Sequence, residues 1–360
     1  MFTEALVLAF FVIGIQLMVP IVMAALGEAV AEKSGVLNVG IEGMMLIGAF
    51  ATAYMGITRR SAGLGILAAI LAGCVFGALL AFLYVNRGTD QIVTGLMFNI
   101  FALGLTGTLH SLYLAGQNGE TLTGIVLPGI GSIPWIGEIL NKQSLMLYLA
   151  IALAFGVWYL LNKTWYGLYA RAAGERPLAA ESGGLNVLRL RYPAVIVASA
   201  MAALGGSALV LATSGGFVPG MTAGRGFIAL GVVVLAKWRP LWIMIYALGF
   251  GLTQGLQFLA GQVPALQSVP TQFWVALPYL VTVIAVVFAP GSTYPAAVGI
   301  PYRRAGSRPS APRVGRRPLG RRSFDVDKVG RVLLHGGRSN MGEGDARDKV
   351  EVGSAMAVAG

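Results

Sequence analysis

An all-α, polytopic membrane fold follows from three observations. The chain of 360 residues is 56% hydrophobic and only 11% charged, roughly half the charged share of a soluble domain. Apolar runs long enough to cross about 30 Å of hydrocarbon at about 1.5 Å per residue recur along it. The 50 glycines suit helices that approach closely in lipid, and the short alternating segments of a membrane β-barrel are missing.

Composition also sets exclusions. Cys74 is the single cysteine and His110 and His335 are the two histidines, so neither a disulfide framework nor a metal centre is expected. The net charge of +11 divides unevenly. Residues 1–302 hold 13 Lys/Arg against 9 Asp/Glu, and residues 303–360 hold 13 against 6. The excess sits in the tail, and nothing points the body toward nucleic acid.

Nine spans are read at about 5–26, 35–57, 63–85, 91–114, 144–161, 193–213, 220–238, 240–260 and 272–289, within a range of eight to ten. The first follows Glu4 and lacks a basic leader, so it reads as a retained anchor. With 162–192 in the cytoplasm, Lys33, Arg87, Lys163, Arg171, Arg176, Arg189, Arg191, Lys237 and Arg239 fall inside, and Arg59, Arg60, Lys142 and Arg225 outside. That excess follows the positive-inside tendency, with the Arg59-Arg60 pair against it.

The Gly27–Phe50 stretch, GEAVAEKSGVLNVGIEGMMLIGAF, is unusual for membrane sequence. Asn38 and Glu42 are four apart and would share one face of a helix, which Gly35, Gly40 and Gly43 weaken. An acid at mid-membrane costs about 2.5–3.5 kcal/mol, so Glu42 must face protein or water. Two readings stand: a polar solute path, or a hydrogen-bonded tie between helices. Asp90 reads as an N-cap of the fourth span, and Asn99 within that span needs a partner, helix or solute. His110 falls at the outer end of the span. Residues 115–143, rich in Gly, Pro, Asn and Thr, read as an outer loop that contains a short interfacial segment.

The polar insert GLYARAAGERPLAAESGGLNVLRLRY, 167–192, interrupts the apolar chain on its basic side. Leu178, Ala179, Ala180, Leu185 and Leu188 give a weak apolar face to one or two short helices. Pro177 suits such a helix's start and Gly183-Gly184 its end. A pinned helix of this kind offers a grip for a soluble partner.

Gly205-Gly206 mark a close-packing point in the following span. In 215–238, the uninterrupted core Phe227–Ala236 is too short to cross alone. It reads as a half-helix preceded by a loop, with Arg225 at the break. Interrupted spans in both halves point to a midplane path. Beyond Arg303 the Arg/Gly-rich chain has no apolar periodicity and reads as a disordered tail, either drawn to anionic headgroups or dispensable.

Four ordered stretches, 27–50, QIVTGLMFN (91–99), AAGERPLAAESGGLNV (172–187) and MTAGRGFIALGVVV (221–234), together resemble the permease subunits of bacterial ATP-binding-cassette (ABC) importers. The branch is the simple-sugar and nucleoside one, related to ribose and branched-chain amino acid permeases, over about residues 5–302. The resemblance implies that Gly174, Glu175, Pro177, Ala179, Ala180 and Gly184 form the coupling segment. It also implies that Asn38, Glu42, Asn99 and Arg225 lie near the translocation path. The implied partners are an ABC ATPase subunit, a second permease subunit (a heterodimer in nucleoside-type relatives), an extracytoplasmic substrate-binding protein and the lipid bilayer. The implied place is the bacterial inner membrane. No cofactor is expected: the chain lacks a G-x-x-x-x-G-K-[ST] phosphate loop, so it is not itself an ATPase of that kind. The alternative is a secondary transporter driven by an ion gradient, with Glu42 as proton carrier.

Overall fold

The computed structural model describes residues 4–117, 139, 143–212, 216–263, 266–288 and 294–302. The helices of this span are α1 (Glu4–Lys33), α2 (Ile41–Arg59), α3 (Ala62–Ala81, ending in a π-helical turn Phe82–Arg87), α4 (Gln91–Tyr113) and α5 (Leu145–Lys163). They continue with α6 (Trp165–Glu175), α7 (Pro177–Ser182), α8 (Val187–Ala212), α9 (Arg225–Leu235), α10 (Pro240–Gln262) and α11 (Thr271–Phe288). No strand forms among the described residues. Among the described residues, seven helices are long and apolar enough to cross a membrane; α9 and the apolar part of α11 are shorter. The half-helix expected after Arg225 is therefore present, preceded by irregular backbone.

The centre is the crossing of α8 with α1, α2 and α3. Val22 to Leu26 of α1 and Ala202-Ala203 of α8 are fully out of reach of solvent. The glycine pair of α8 explains how close these helices come. A Cβ on Gly205 would lie 2.7 Å from the Pro20 carbonyl oxygen of α1, and one on Gly206 would lie 1.7 Å from that of Met45 in α2. One glycine admits each neighbour, and contact at backbone distance stands in for the hydrophobic drive that lipid removes. Leu67, Leu71 and Val75 of α3 and Met97 and Ile100 of α4 are exposed, as befits faces turned to hydrocarbon.

Asp90 is the expected cap: its Oδ1 accepts from Ile92 and Val93 N–H at 2.9 Å. The ends expected in the cytoplasm meet at one pole. There Gly174 O accepts from Ala297 N at 2.8 Å, Arg191 Nε donates to Ser34 O at 3.1 Å, and Lys33 lies over the Trp238 ring at 5.5 Å. Phe217 and Tyr54 belong to a separate apolar cluster with Leu46 and Leu114; His110 lies tilted against the Phe217 ring at 5.5 Å, and Tyr113 meets Tyr54 edge-on. Arg59 ends α2 and Arg60 turns the chain with φ 47°. Most of the 115–143 outer loop, and the tail from 303, lie outside the described residues.

Candidate coupling segment and solute path

The polar insert folds as two short helices on a fixed base. Thr164 caps α6, its Oγ accepting from Gly167 N at 3.3 Å. Arg176 leaves the helix with φ −140° and ψ 78°, and Pro177 opens α7 at its first position, where a missing N–H costs nothing. Six residues later α7 ends as anticipated: Leu185 N donates to Ala180 O at 3.0 Å, with Gly184 at φ +87°. That left-handed stop is one glycine tolerates. Gly183 sits at an ordinary φ of −78°, so the Gly-Gly pair has one obligatory member.

What lies beneath holds the insert to the membrane body. Ala173, Ala180 and Val187 form a buried cluster, with Leu185, Leu190 and Tyr302 against it. A Cβ on Gly174 would lie 2.4 Å from Lys33 O, so α6 rests directly on the end of α1. The buried Arg191 guanidinium reaches Ser34 O and lies 5.5 Å over the Tyr302 ring, while Tyr302 donates to Glu181. Tyr166 donates to Leu190 O at 3.3 Å, and burial pushes its phenol up to about 12, so it remains a donor. Glu175, Arg176, Leu178 and Ala179 face outward. The single apolar face expected over 178–188 is thus divided: Leu178 and Ala179 point out, Ala180 points in.

The α1–α2 connection departs from the expected continuous helix. Residue 33 ends α1, Gly35 turns at φ 88°, and α2 starts only at Ile41. Asn38 therefore stands on unwound backbone and does not share a helical face with Glu42. Unpaired N–H and C=O groups at this depth are costly, and side chains from elsewhere meet them. Glu28 Oε1 accepts from Asn38 N at 2.8 Å, and Gln91 Oε1 accepts from Leu37 N at 2.7 Å. Asn99 does both jobs, donating to Val39 O at 2.9 Å and accepting from Gly43 N at 2.8 Å. The Asn38 side chain is fully buried, between Ser199 Oγ at 3.4 Å and the Tyr84 hydroxyl at 3.5 Å.

A second break precedes α9. Gly220, Ala223 and Gly224 all have positive φ. The Glu42 carboxylate accepts from Gly224 N at 2.7 Å and Gly226 N at 2.6 Å, so an acid from α2 caps the N-terminus of the half-helix, where negative charge is favoured. Arg225 turns away, to Gln254 Oε1 at 3.2 Å and the Met221 and Thr222 carbonyls. Beside this junction lies a cavity of about 250 Å³, lined by Glu42, Gly43, Asn99, Leu103, Gly220 and Thr222 among others. Of the four candidates for the path, Glu42 and Asn99 share this cavity, while Asn38 and Arg225 are not among its lining residues.

Three buried charged groups stand out that local sequence does not single out. Glu28 and Glu32 lie one turn apart on α1, at 0% and 1% exposure; Glu32 accepts from the Trp238 indole. Arg191, one of the nine cations the topology puts inside, is only 2% exposed. For the acids a faint signal exists: two glutamates at helical spacing inside an apolar run.

Residues 10–286 match the family described as branched-chain amino acid transport system / permease component. The chain belongs to this permease family. It is a permease component embedded in the membrane by several spans. It is 35% identical over 295 residues to the guanosine ABC transporter permease protein NupQ of Bacillus subtilis, covering 79% of this chain and 92% of that relative. To the nucleoside ABC transporter permease protein NupC of Lactococcus lactis it is 36% identical over 294 residues, 79% of the chain and 93% of the relative. To the putative glucose ABC transporter permease protein TsgC13 of Haloferax volcanii it is 36% identical over 250 residues, 68% of the chain and 75% of the relative. No solved structure matches the chain.

Proposed function

We propose that this permease moves a nucleoside or a simple sugar into the cytoplasm across a bacterial inner membrane, driven by ATP hydrolysis in a separate ABC ATPase subunit. The observation that carries the reading is the two-sided build of the central insert. Its base is packed onto the end of α1 and onto 295–302, while Glu175, Arg176, Leu178 and Ala179 are turned outward. A body that grips this surface moves α1 and α8 with it. Gly174, Pro177, Ala180 and Gly184 shape the segment, and Glu175 and Ala179 meet the ATPase.

The solute path runs by the cavity at Glu42 and Asn99, whose wall is mostly apolar (Leu46, Ile100 and Leu103 among others) with one carboxylate, one amide and the Thr222 hydroxyl as its polar groups. Asn38 and Arg225 set the backbone on either side of it. Relatives that carry nucleosides favour a nucleoside first. An extracytoplasmic binding protein delivers the solute, and a second, longer sister permease completes the pore as a heterodimer. A carrier worked by protons at Glu42 is less well supported, because both of its oxygens already accept from backbone N–H groups.

The test is uptake by the whole importer in vesicles. ATP without an ion gradient should drive accumulation, and Glu175→Ala should cut uptake while ATP hydrolysis continues. Accumulation by the permease alone under an imposed ion gradient would overturn the proposal.

A further inference from the structure

We propose that the inner end of this permease holds the headgroup of an anionic glycerophospholipid in a built site, apart from the solute path and bordered by the coupling segment at Arg171 and Glu175. Between the cytoplasmic ends of α1, α5 and α6 and the turn from α9 to α10 opens a cavity of about 580 Å³. Its charged lining is Lys33, Arg171, Lys237 and Arg239 against one acid, Glu175. That imbalance calls for an anion.

Two accessible indoles in the same wall say what kind. Trp158 and Trp242 line the cavity, and tryptophan gathers at the level of lipid headgroups. The turn is shaped to present its cations there. Lys237 and Trp238 both take left-handed backbone, φ 50° and 56°, which side-chain-bearing residues avoid. The result turns the Trp238 ring inward onto Glu32 and leaves Lys237 and Arg239 exposed on either side of it. The side chains of Lys237 and Arg239 form no hydrogen bond or ion pair with any described residue. From the cavity, α5 and α10 run side by side into the membrane with Phe155, Tyr159, Ile245 and Tyr246 exposed. A phosphate between the cations and acyl chains along those faces satisfies both halves of the surface. A basic pocket between helices on the cytoplasmic side is the arrangement that binds acidic lipid heads.

The experiment uses the assembled importer in nanodiscs of phosphatidylcholine with phosphatidylglycerol as the probe. Bound phosphatidylglycerol is counted by native mass spectrometry and its affinity read by titration. Removing both exposed cations with Lys237→Gln and Arg239→Gln should weaken phosphatidylglycerol binding by about 30-fold. Arg239→Lys alone, which keeps the charge, should retain it. Arg59→Gln with Arg60→Gln, the same charge loss at the other pole, should change nothing. Undiminished binding in the double variant, or equal retention of phosphatidylcholine, would overturn the inference. So would displacement of the lipid by inorganic phosphate, which would make the site one for a free anion. Loss of the ATPase subunit with lipid still bound would make the patch a protein-docking face instead. None of these readings depends on whether uptake is ATP-driven.

Discussion

The two backbone breaks solve one problem in opposite ways. Between α1 and α2 the unwound chain is closed from all sides: Glu28, Gln91 and Asn99 meet its N–H and C=O groups, and the Asn38 side chain is fully buried. Before α9 a single carboxylate, Glu42, meets two N–H groups, and a cavity of about 250 Å³ remains beside it. Irregular backbone within a membrane is tolerated where protein satisfies it or where it lines a cavity; these two breaks use one solution each. The difference teaches that a Gly-rich interruption in an apolar span does not by itself mark a path. On the proposed function the sealed break acts as a joint, since Gly174 of the insert rests on Lys33 and Gly35.

The sharpest way to break the comparison is to remove each acid in turn. Glu42→Ala orphans the N–H groups of Gly224 and Gly226, at about 1–3 kcal/mol each where water is excluded. Thermal stability and uptake should both fall, uptake by more than the loss of folded protein explains. Glu28→Ala leaves the Asn38 N–H unpaired for about 1–3 kcal/mol. It should lower the thermal midpoint while uptake per folded importer holds. If Glu28→Ala abolishes uptake in a folded importer and Glu42→Ala does not, path and joint have been exchanged.

Asn99 belongs to both regions, so its loss should look like a mixture. Asn99→Ala removes the donor to Val39 O and the acceptor for Gly43 N, each hydrogen bond worth about 0.5–1.5 kcal/mol. It also enlarges the cavity. A shift in solute affinity at modest cost in stability is expected, read as uptake against concentration alongside thermal unfolding. Asn99→Asp keeps the acceptor and loses the donor, and should fall between the two.

What was legible in the sequence was local. Asp90 as a cap, Pro177 at the start and Gly184 at the end of the short helix, Gly205-Gly206 as a contact and 227–236 as half a span each follow from a few neighbouring residues. So does the class of fold, since length and apolarity decide it. What failed was reached across the chain. Spacing alone puts Asn38 and Glu42 on one helix; Glu28 lies only 10 residues from Asn38, but Gln91 and Asn99, which also hold the chain unwound, lie 54 and 60 residues from their partners. Asn38 and Ser199 are 161 residues apart, and Arg191 and Ser34 are 157 apart. Arg191 was hidden by company, one arginine in a cationic loop being indistinguishable from its neighbours until the packing singles it out.

The smallest effect belongs to the third break, where α7 ends at the cytoplasmic pole and water is at hand. Gly183 and Gly184 are both exposed, so no buried backbone group is at stake and only conformation counts. A Cβ on Gly183 would meet Ala180 O at 3.4 Å, an ordinary contact, and its φ is unremarkable for any residue. Gly183→Ala should leave stability unchanged or raise it by a few tenths to about 1 kcal/mol, since alanine restricts the unfolded chain. Gly184→Ala forces a side chain onto φ +87° and should cost about 1 kcal/mol or slightly more. Thermal unfolding of the two variants separates them, and uptake assigns the consequence. If the coupling segment works as a rigid body, Gly184→Ala should lower the uptake obtained per ATP hydrolysed and Gly183→Ala should not. Equal uptake per ATP in both would mean that the helix's exit geometry plays no part in passing motion to α8.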